Sequence, residues 1–382
     1  MENAELERIS TSLKQAHSPE EIFGTLTGTQ AEMLEAARKI FRQMAKSVHP
    51  DLYEGTADFD KASAAFKKLA QFWEHAQISI ENDIYGTSDT RETFKPFTIC
   101  TKHCQYTVER LLTCGDLCGL YIGRGVSLGP PTDKKSREIL KVPIKPEDND
   151  LMANEARILS HLRSSEDYEN LRHFVSQLID SFSYHEEATG IVRRVNVIAY
   201  IEGLYSLQEV QEAYPEGIDA KDMAWIWRRL LVALGFAHTH KVIHGCVIPP
   251  HVMVHPEEHG VVLVDWSYAV LDPVVTDERI SAISGPYREW YPAEVFAKDV
   301  PTPGLDICMA ARCMIDLLGG DPHRRTMPDT VPSRIQNYLK GCTLPNPHRR
   351  PQDAHKLLEA FDELIEQIWG PRTFHKFTMP ER

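Results

Sequence analysis

Long apolar runs are missing from this sequence, and none approaches the roughly 20 consecutive apolar residues that a membrane-spanning helix needs. The first ten residues, MENAELERIS, lack the basic start and apolar core of a secretory signal peptide. The 8 cysteines are scattered over 382 residues, a pattern that does not favour a disulfide framework. We therefore expect a cytoplasmic protein with reduced thiols and no membrane partner.

Positive charge is also scarce. The chain has 42 Lys and Arg residues against 55 Asp and Glu residues, and its formal net charge is -13. An acidic chain of this kind argues against broad electrostatic binding of nucleic acid, so we expect no nucleic-acid partner. The hydrophobic content of 42% is enough for two or three domains with buried cores.

Residues 18–80 have the pattern of a small helical module that follows a charged extension, residues 1–17. A first helix is predicted from Ser18, whose hydroxyl can cap it together with Glu21. Two longer helices are predicted by apolar side chains at helical spacing. Their apolar residues are Met33, Ala37, Ile40, Phe41, Met44 and Val48 in one, and Ala62, Ala65, Phe66, Leu69, Trp73 and Ala76 in the other. We expect these two helices to pack antiparallel.

The first of the two longer helices has a basic side and ends in a His-Pro-Asp tripeptide. The residues concerned are Arg38, Arg42, Lys46, His49, Pro50 and Asp51. With this context the segment resembles a J-domain, the module by which DnaJ-type cochaperones activate DnaK-type chaperones. The resemblance implies that the three cations meet an acidic surface of the chaperone, and that the tripeptide couples docking to ATP hydrolysis. The alternative is a solvated basic face followed by a helix stop.

After residue 80 the predicted secondary structure changes from a polar linker to strands and then to helices. Residues 81–96 are polar and predict a linker, residues 97–202 predict a strand-rich lobe, and residues 203–368 are largely helical before a tail, 369–382. Within the strand-rich lobe, strands are predicted near 106–112, 120–123, 138–142, 174–182 and 194–201, with a helix near 151–162.

Several separated landmarks occur in the order of a protein-kinase domain. Residues 230–245, LLVALGFAHTHKVIHG, resemble the long helix and the lead-in to the catalytic loop, and Asp265 ends an apolar strand. Residues 97 to about 368 therefore resemble the protein-kinase fold, and also its aminoglycoside-phosphotransferase branch. The resemblance implies that Lys141 holds nucleotide phosphates, that Glu155 pairs with Lys141, and that Asp265 binds magnesium. It gives Glu294, Asp306 and Arg350 structural roles in the fold.

The catalytic loop departs from that family at the positions that carry chemistry. Cys246 stands where the family has its catalytic aspartate, Ile248 replaces a lysine, and His251 replaces a magnesium-binding asparagine. The phosphate loop, residues 113–118, keeps only Gly115 of three glycines. We therefore expect a weakened site for ATP and magnesium and no ordinary protein phosphorylation.

Three chemical alternatives remain open at this point. His251 could bind a metal together with Asp265, or Cys246 could act as a nucleophile beside His244. Residues Cys100, His103, Cys104, Cys114 and Cys118 have a faint zinc-like spacing, but two of the cysteines fall in the predicted phosphate loop, so we do not expect zinc.

The sequence thus predicts an α+β protein, a small helical J-domain followed by a two-lobed kinase-like fold. The leading interpretation is a pseudokinase that binds ATP and recruits a DnaK-type chaperone to an unknown client protein. One alternative is an atypical protein kinase or phosphotransferase that uses a metal bound to Asp265. The other is a scaffold that binds no nucleotide.

Overall fold

The computed structural model describes residues 2–16, 18–81, 85–86, 96–128, 137–186 and 190–380. Helices and antiparallel sheet are both present, so the prediction of a mixed α and β chain is confirmed. The chain divides into two compact units, residues 1–100 with 105–123 and residues 101–104 with 124–382. Most of the predicted linker, residues 82–84 and 87–95, lies outside the described residues.

The first unit begins with helices that share one apolar core. They are α1 (Glu2–Gln15), α2 (Pro19–Phe23), α3 (Gln30–Val48) and α4 (Phe59–Glu81). The ring of Phe41 stacks on Trp73 at 5.4 Å, and the ring of His49 meets Phe66 at 5.0 Å. His49, which directly follows α3, meets an earlier residue of α4 than Phe41 does, so the two helices are antiparallel, as the sequence predicts.

Helix α1 corrects the prediction that residues 1–17 are only a charged extension. Leu6, Ile9 and Leu13 recur every three or four residues and are fully buried in the core of the first unit. Charged residues surround this narrow apolar stripe in the sequence and hide it from a composition-based prediction.

The prediction that the Ser18 hydroxyl caps the first helix was also wrong. Ser18 precedes α2 but makes no capping hydrogen bond through its side chain, and α2 ends after five residues. The capping box belongs instead to α3, where the Thr29 hydroxyl accepts from the Glu32 amide at 3.3 Å and the Glu32 carboxylate accepts from the Thr29 amide at 2.8 Å.

The first unit also contains β1 (Phe97–Cys100), β2 (Cys104–Cys114) and most of β3 (Cys118–Ser127). Strands β1 and β2 pair antiparallel, with Phe97 opposite Val108. The turn between β2 and β3 holds Gly115, whose amide donates to the Cys118 carbonyl at 2.9 Å.

The second unit opens with β4 (Glu138–Pro143), helix α5 (Asn149–Arg163) and the short helix α6 (Tyr168–Leu171). Strands β5 (Leu178–His185) and β6 (Val192–Ala199) follow, and β6 lies between β4 and β5 in an antiparallel arrangement. The strand predicted from residue 174 begins later, at Leu178, because residues 172–174 form a 3-10 helix. In this register Lys141 and Ser181 both lie opposite Asn196.

The remainder of the second unit is mainly helical. Its helices are α7 (Leu207–Ala213), α8 (Ala220–Thr239), α9 (Pro273–Thr276), α10 (Ala293–Phe296), α11 (Pro303–Leu317), α12 (Ser333–Cys342) and α13 (Ala354–Trp369). Short strands connect them: β7 (Tyr205–Ser206), β8 (Val242–Ile243), β9 (Val252–His255), β10 (Gly260–Leu263) and β11 (Val270–Leu271). Helix α8 packs against α11 and α13, and its apolar residues form the centre of this part.

Residues 371–380, here called the C-terminal strap, run back over α8. His375 contacts Asp222 at 2.7 Å, and Phe377 is buried against Trp225. The ring of His259 is stacked between Trp225 and Phe374, at 4.3 Å from each. Part of the predicted tail thus contacts α8, through His375 and Phe377. Across the described ranges, no helix has both the length and the apolar character required to cross a bilayer.

Candidate functional site

Lys141 is a buried cation at the centre of a polar cluster in the second unit. Its ammonium lies 2.9 Å from Glu155 Oε1, 2.7 Å from Asp265 Oδ1 and 3.1 Å from Ser267 Oγ. An ammonium has three hydrogens to donate, and each has an acceptor here. Strand β4, helix α5 and the segment after β10 therefore converge on one charged group.

Glu155 is held in place by Asn196, a residue that the sequence analysis did not select. The fully buried Asn196 side chain donates to Glu155 Oε2 at 2.9 Å and to the Met152 carbonyl at 2.8 Å. Its own oxygen accepts from the Ser181 hydroxyl at 2.7 Å. A lone amide in the otherwise apolar stretch VNVIA of β6 is the sequence signal that could have identified it.

Asp265 occupies the turn that follows β10 in a left-handed conformation, with φ 61° and ψ 73°. Its Oδ1 accepts from Lys141, and its Oδ2 lies 3.3 Å from His251 Nε2. Burial alone would raise the pKa of Asp265, but the charges of Lys141 and His251 and the hydrogen bonds from Lys141 and Ser267 hold that pKa well below its usual value. Asp265 is therefore a carboxylate over the physiological pH range.

His251 is oriented by the backbone of residues 244–251, the predicted catalytic loop. Its Nδ1 lies 3.0 Å from the Cys246 carbonyl oxygen, which can only accept, so Nδ1 carries the proton. The other ring nitrogen, Nε2, faces Asp265. The amide of Val264 donates to the His251 carbonyl at 2.9 Å, which fixes the two segments side by side.

His244 is a structural residue in this geometry. Its Nε2 lies 3.0 Å from the Val264 carbonyl, and its Nδ1 accepts from the Cys246 amide at 3.2 Å. Burial, together with the nearby His251, lowers the pKa of His244 to about 4, against the opposing influence of Asp306. The neutral ring satisfies both contacts, whereas a protonated ring would face the Cys246 amide with a second donor.

Cys246 lies beneath the surface. Its thiol is fully buried and lies 2.8 Å from the Tyr291 hydroxyl. A nucleophilic thiol must reach its substrate, and it is activated by an accessible, electropositive setting. The structure therefore does not favour the alternative in which Cys246 attacks a substrate.

Asp306, in helix α11, holds the backbone of residues 244 and 245. Its two carboxylate oxygens accept from the amides of His244 and Gly245, each at 2.8 Å, and His238 lies 2.9 Å away. Gly245 has φ 74°, and a Cβ there would lie 2.5 Å from Ile280 Cδ1. The loop thus requires glycine at this position.

Glu294 and Arg350 form a buried ion pair away from the Lys141 cluster. The Arg350 Nη2 lies 3.3 Å from Glu294 Oε2, and Arg350 Nε donates to the Leu344 carbonyl at 2.6 Å. The pair joins α10 to the segment before α13.

Gly115 belongs to the first unit, whereas Lys141, Glu155 and Asp265 belong to the second. Its role in nucleotide binding remains a prediction. Burial raises the pKa of the neighbouring Cys114 thiol to about 11, so this part of the predicted phosphate loop carries a neutral thiol.

The predicted chaperone-binding residues all lie on α3 and the turn after it. Arg42 and Lys46 are exposed one helical turn apart, and Arg38 lies one turn earlier, 3.5 Å from Glu35. The Asp51 amide donates to His49 Nδ1 at 3.4 Å. Pro50 begins the 3-10 turn that connects the two helices.

Within the described parts of the chain, no group of three or more His, Cys, Asp or Glu side chains could hold a metal ion. A cation at Asp265 and His251 would thus have two protein donors, one oxygen and one nitrogen, and would need additional ligands from a bound molecule or water.

Comparisons with known proteins found no matching family model and no matching curated protein. Solved kinase-domain structures of PknI from Mycobacterium tuberculosis show a similarity at 18% sequence identity. One covers 69% of this chain and 97% of its own with a TM-score of 0.47. Its C20A_R136N double mutant covers 68% and 96% with a TM-score of 0.49. These values assign no activity to this chain.

Proposed function

We propose that residues 97 to about 368 form a kinase-like domain that binds ATP but lacks standard phosphoryl transfer. One observation carries the proposal: the Lys141 ammonium lies within 2.9 Å of Glu155 and 2.7 Å of Asp265, although the three residues come from separate elements. A lysine braced by a helix glutamate beside an ionised aspartate is the arrangement that positions nucleotide phosphates and their cation in kinases.

The residues of the predicted catalytic loop support the proposed lack of standard phosphoryl transfer. A buried thiol replaces the carboxylate that orients the acceptor hydroxyl, and a fully buried Ile248 replaces the lysine that neutralises the transferred phosphate. Loss of a positioned base typically reduces a rate by about 10²- to 10⁴-fold. We propose that the nucleotide acts as a ligand that stabilises one conformation of the domain.

Calorimetric titration of the full chain with ATP and magnesium tests the nucleotide site. Binding should be lost in Lys141→Ala and Asp265→Ala, and retained in Lys356→Ala, a lysine whose side chain is 82% exposed. Since Lys141→Ala leaves two carboxylates near each other, Asp265→Asn provides a gentler variant, and thermal unfolding of each variant confirms that it is folded. Equal binding by all variants would contradict the assignment.

We further propose that the first unit recruits a DnaK-type chaperone to a client held elsewhere on the protein. The support is the row of cations on α3 next to the half-buried His49 and the exposed Asp51, together with the J-domain resemblance. Cations spaced by one helical turn present a positive strip that an acidic surface can bind.

The proposed recruitment is tested by the rate of ATP hydrolysis of a purified DnaK-type chaperone, measured with and without this protein. The full chain should raise the rate, His49→Gln and Arg42→Ala should abolish or strongly reduce the effect, and added salt should weaken it. Arg8→Ala, a change of another exposed cation of the same unit, serves as the control. Equal stimulation by His49→Gln would contradict the proposal.

A second candidate function is an atypical protein kinase or phosphotransferase that works from a metal on Asp265. The intact contacts of Lys141 with Glu155 and Asp265 favour it. Transfer of labelled phosphate from ATP to a protein or small molecule, absent in Asp265→Ala, would establish this activity. A folded protein that binds no nucleotide would point to the third candidate, a scaffold independent of nucleotide.

A further inference from the structure

A cleft in the second unit lies between a tight turn, residues 321–326, and helix α12. Its volume is about 540 Å³, which is within the range of small-molecule sites in proteins. Three of the residues that line it are cations, Arg324, Arg325 and Lys340. Among the described residues of this lining none is acidic, although the whole chain has a net charge of -13. The cleft therefore concentrates positive charge in an acidic protein.

Two of these cations lack a counter-charge. Within the described part of the chain, neither the Arg325 guanidinium nor the Lys340 ammonium has a hydrogen-bond or ion-pair partner, and both residues are half-buried. Arg324 differs, since its Nε lies 3.7 Å from Asp321 Oδ2. A half-buried cation loses part of its hydration, and like charges that share a cleft repel each other. A bound anion would relieve both effects.

The turn fixes the backbone that carries Arg324 and Arg325. The Asp321 amide donates to the Thr326 carbonyl at 2.9 Å, and the Thr326 amide donates back to the Asp321 carbonyl at 3.2 Å. The Asp321 carboxylate also accepts from the amides of His323 and Arg324, at 2.8 and 2.9 Å. Arg325 has φ 56°, a left-handed conformation that glycine or asparagine adopts more readily than arginine. An arginine thus lines the cleft at a position whose backbone does not favour it.

The donor groups of the cleft match a phosphate group. A guanidinium presents paired N–H donors that fit phosphate oxygens, and an ammonium adds a compact charge. The Thr326 hydroxyl and the Asn337 amide belong to the same lining and are neutral donors. A phosphate monoester carries a charge of about -1.5 to -2 and three acceptor oxygens at pH 7, whereas a carboxylate carries one charge and two oxygens. Three cations with two neutral donors therefore favour phosphate.

We propose that this cleft binds a phosphate monoester through Arg324, Arg325 and Lys340, with Thr326 and Asn337 as additional donors. The phosphate belongs either to a phosphorylated side chain of a partner protein or to a free phosphate compound, and the same groups would recognise both. None of the lining residues belongs to the cluster around Lys141. Binding in the cleft therefore requires neither the proposed nucleotide site nor a chaperone.

Phosphorus NMR of two probes, inorganic phosphate and phosphoserine capped as its N-acetyl amide, tests the site in the full chain. Both resonances should broaden when the wild-type protein is added. Arg325→Asn and Lys340→Gln should each weaken binding about fivefold or more, because each removes a charge-assisted contact. Asparagine tolerates the left-handed backbone, so the turn should be retained. Arg349→Gln, in a second Pro-His-Arg-Arg run outside the lining, should bind as the wild type does.

Gly341 offers a pair of variants that leaves all three cations in place. It lines the cleft, and a Cβ there would meet no atom of another segment within 4 Å. Gly341→Glu adds a negative charge to the lining and should abolish binding, whereas the neutral Gly341→Gln should largely retain it. Thermal unfolding of each variant confirms that it is folded.

The relative affinity of the two probes identifies the source of the phosphate. Tighter binding of the capped phosphoserine would indicate a phosphorylated side chain, and tighter binding of inorganic phosphate would indicate a free compound. Absence of broadening, or equal binding by the wild type, Arg325→Asn and Lys340→Gln, would overturn the site. Loss of binding in Lys141→Ala alone would place the probe at the nucleotide site and would also overturn it.

Discussion

Asn196 donates a hydrogen bond to Glu155 across 2.9 Å, and both side chains are buried. Asn196 also satisfies the Met152 carbonyl and accepts from Ser181, so one amide connects β6, α5 and β5. The position of Glu155, and through it that of Lys141, therefore depends on a residue whose hydrogen bonds in this network reach neither residues 244–251 nor Asp265.

Replacement of Asn196 by alanine should destabilise the protein. The change leaves the buried acceptors of Glu155 and Met152 without this donor, and each unsatisfied group costs about 1–3 kcal/mol. Urea unfolding should show the loss, and calorimetry should show weaker ATP binding because Glu155 is no longer held. The exposed Asn337→Ala is the control, and an equal effect of the two changes would contradict the role of Asn196.

The buried His244 should make stability depend on pH. Its pKa is lowered to about 4 in the folded protein, from an ordinary value of 6.5, so the unfolded chain binds the proton more readily. The free energy of unfolding should therefore fall as the pH drops from about 6.5 towards 4, by about 3 kcal/mol from this residue. Below that pH both states are protonated, and this dependence ends.

Urea unfolding at a series of pH values checks the contribution of His244. Carboxylates also titrate near pH 4, so the informative quantity is the difference between wild type and His244→Gln. The variant should be less stable at pH 7 but should lose less stability on acidification. Parallel pH profiles for the two proteins would show that the His244 pKa is not lowered.

Gly245 should tolerate no side chain. Alanine at this position would adopt φ near 74° and would place its Cβ 2.5 Å from Ile280. We expect Gly245→Ala to destabilise the protein by about 1–3 kcal/mol. Gly341 lies in helix α12, and a Cβ there would meet no atom of another segment within 4 Å, so Gly341→Ala should be neutral or stabilising by up to about 1 kcal/mol. Thermal unfolding compares the two, and similar midpoints would contradict the prediction.

The C-terminal strap should contribute measurably to the stability of the second unit. Phe377 is 5% exposed, and truncation of a buried phenylalanine costs about 3–5 kcal/mol. Phe374 is 71% exposed, so Phe374→Ala should cost much less than Phe377→Ala. Urea unfolding of the two variants tests the difference, and equal effects would indicate that the strap is not packed in solution.

The sequence predicts several elements of both units well because their signals are local. The apolar spacing of α3 and α4 and the apolar strand before Asp265 each depend on a few neighbouring residues. The sequence also predicts an ion pair between Lys141 and Glu155, and their side chains are 2.9 Å apart.

Contacts between distant segments could not be predicted in the same way. Asn196 acts through the register of β6 with β4 and β5, and a pattern within β6 does not determine that register. The strap is a similar case, since His375 meets Asp222 from 153 residues away. The stripe of α1 was available in the sequence, but a charged composition obscured it.

Helix α8 is anchored near both of its ends. The strap holds Asp222 and Trp225 near its start, and Asp306 holds His238 near its end. A chain that stopped at Gly370 would lose the contact of Phe377 with Trp225 and would uncover the face of His259 that Phe374 stacks on. Such a surface favours self-association, so trimming the last dozen residues to aid crystallisation would promote aggregation instead of order.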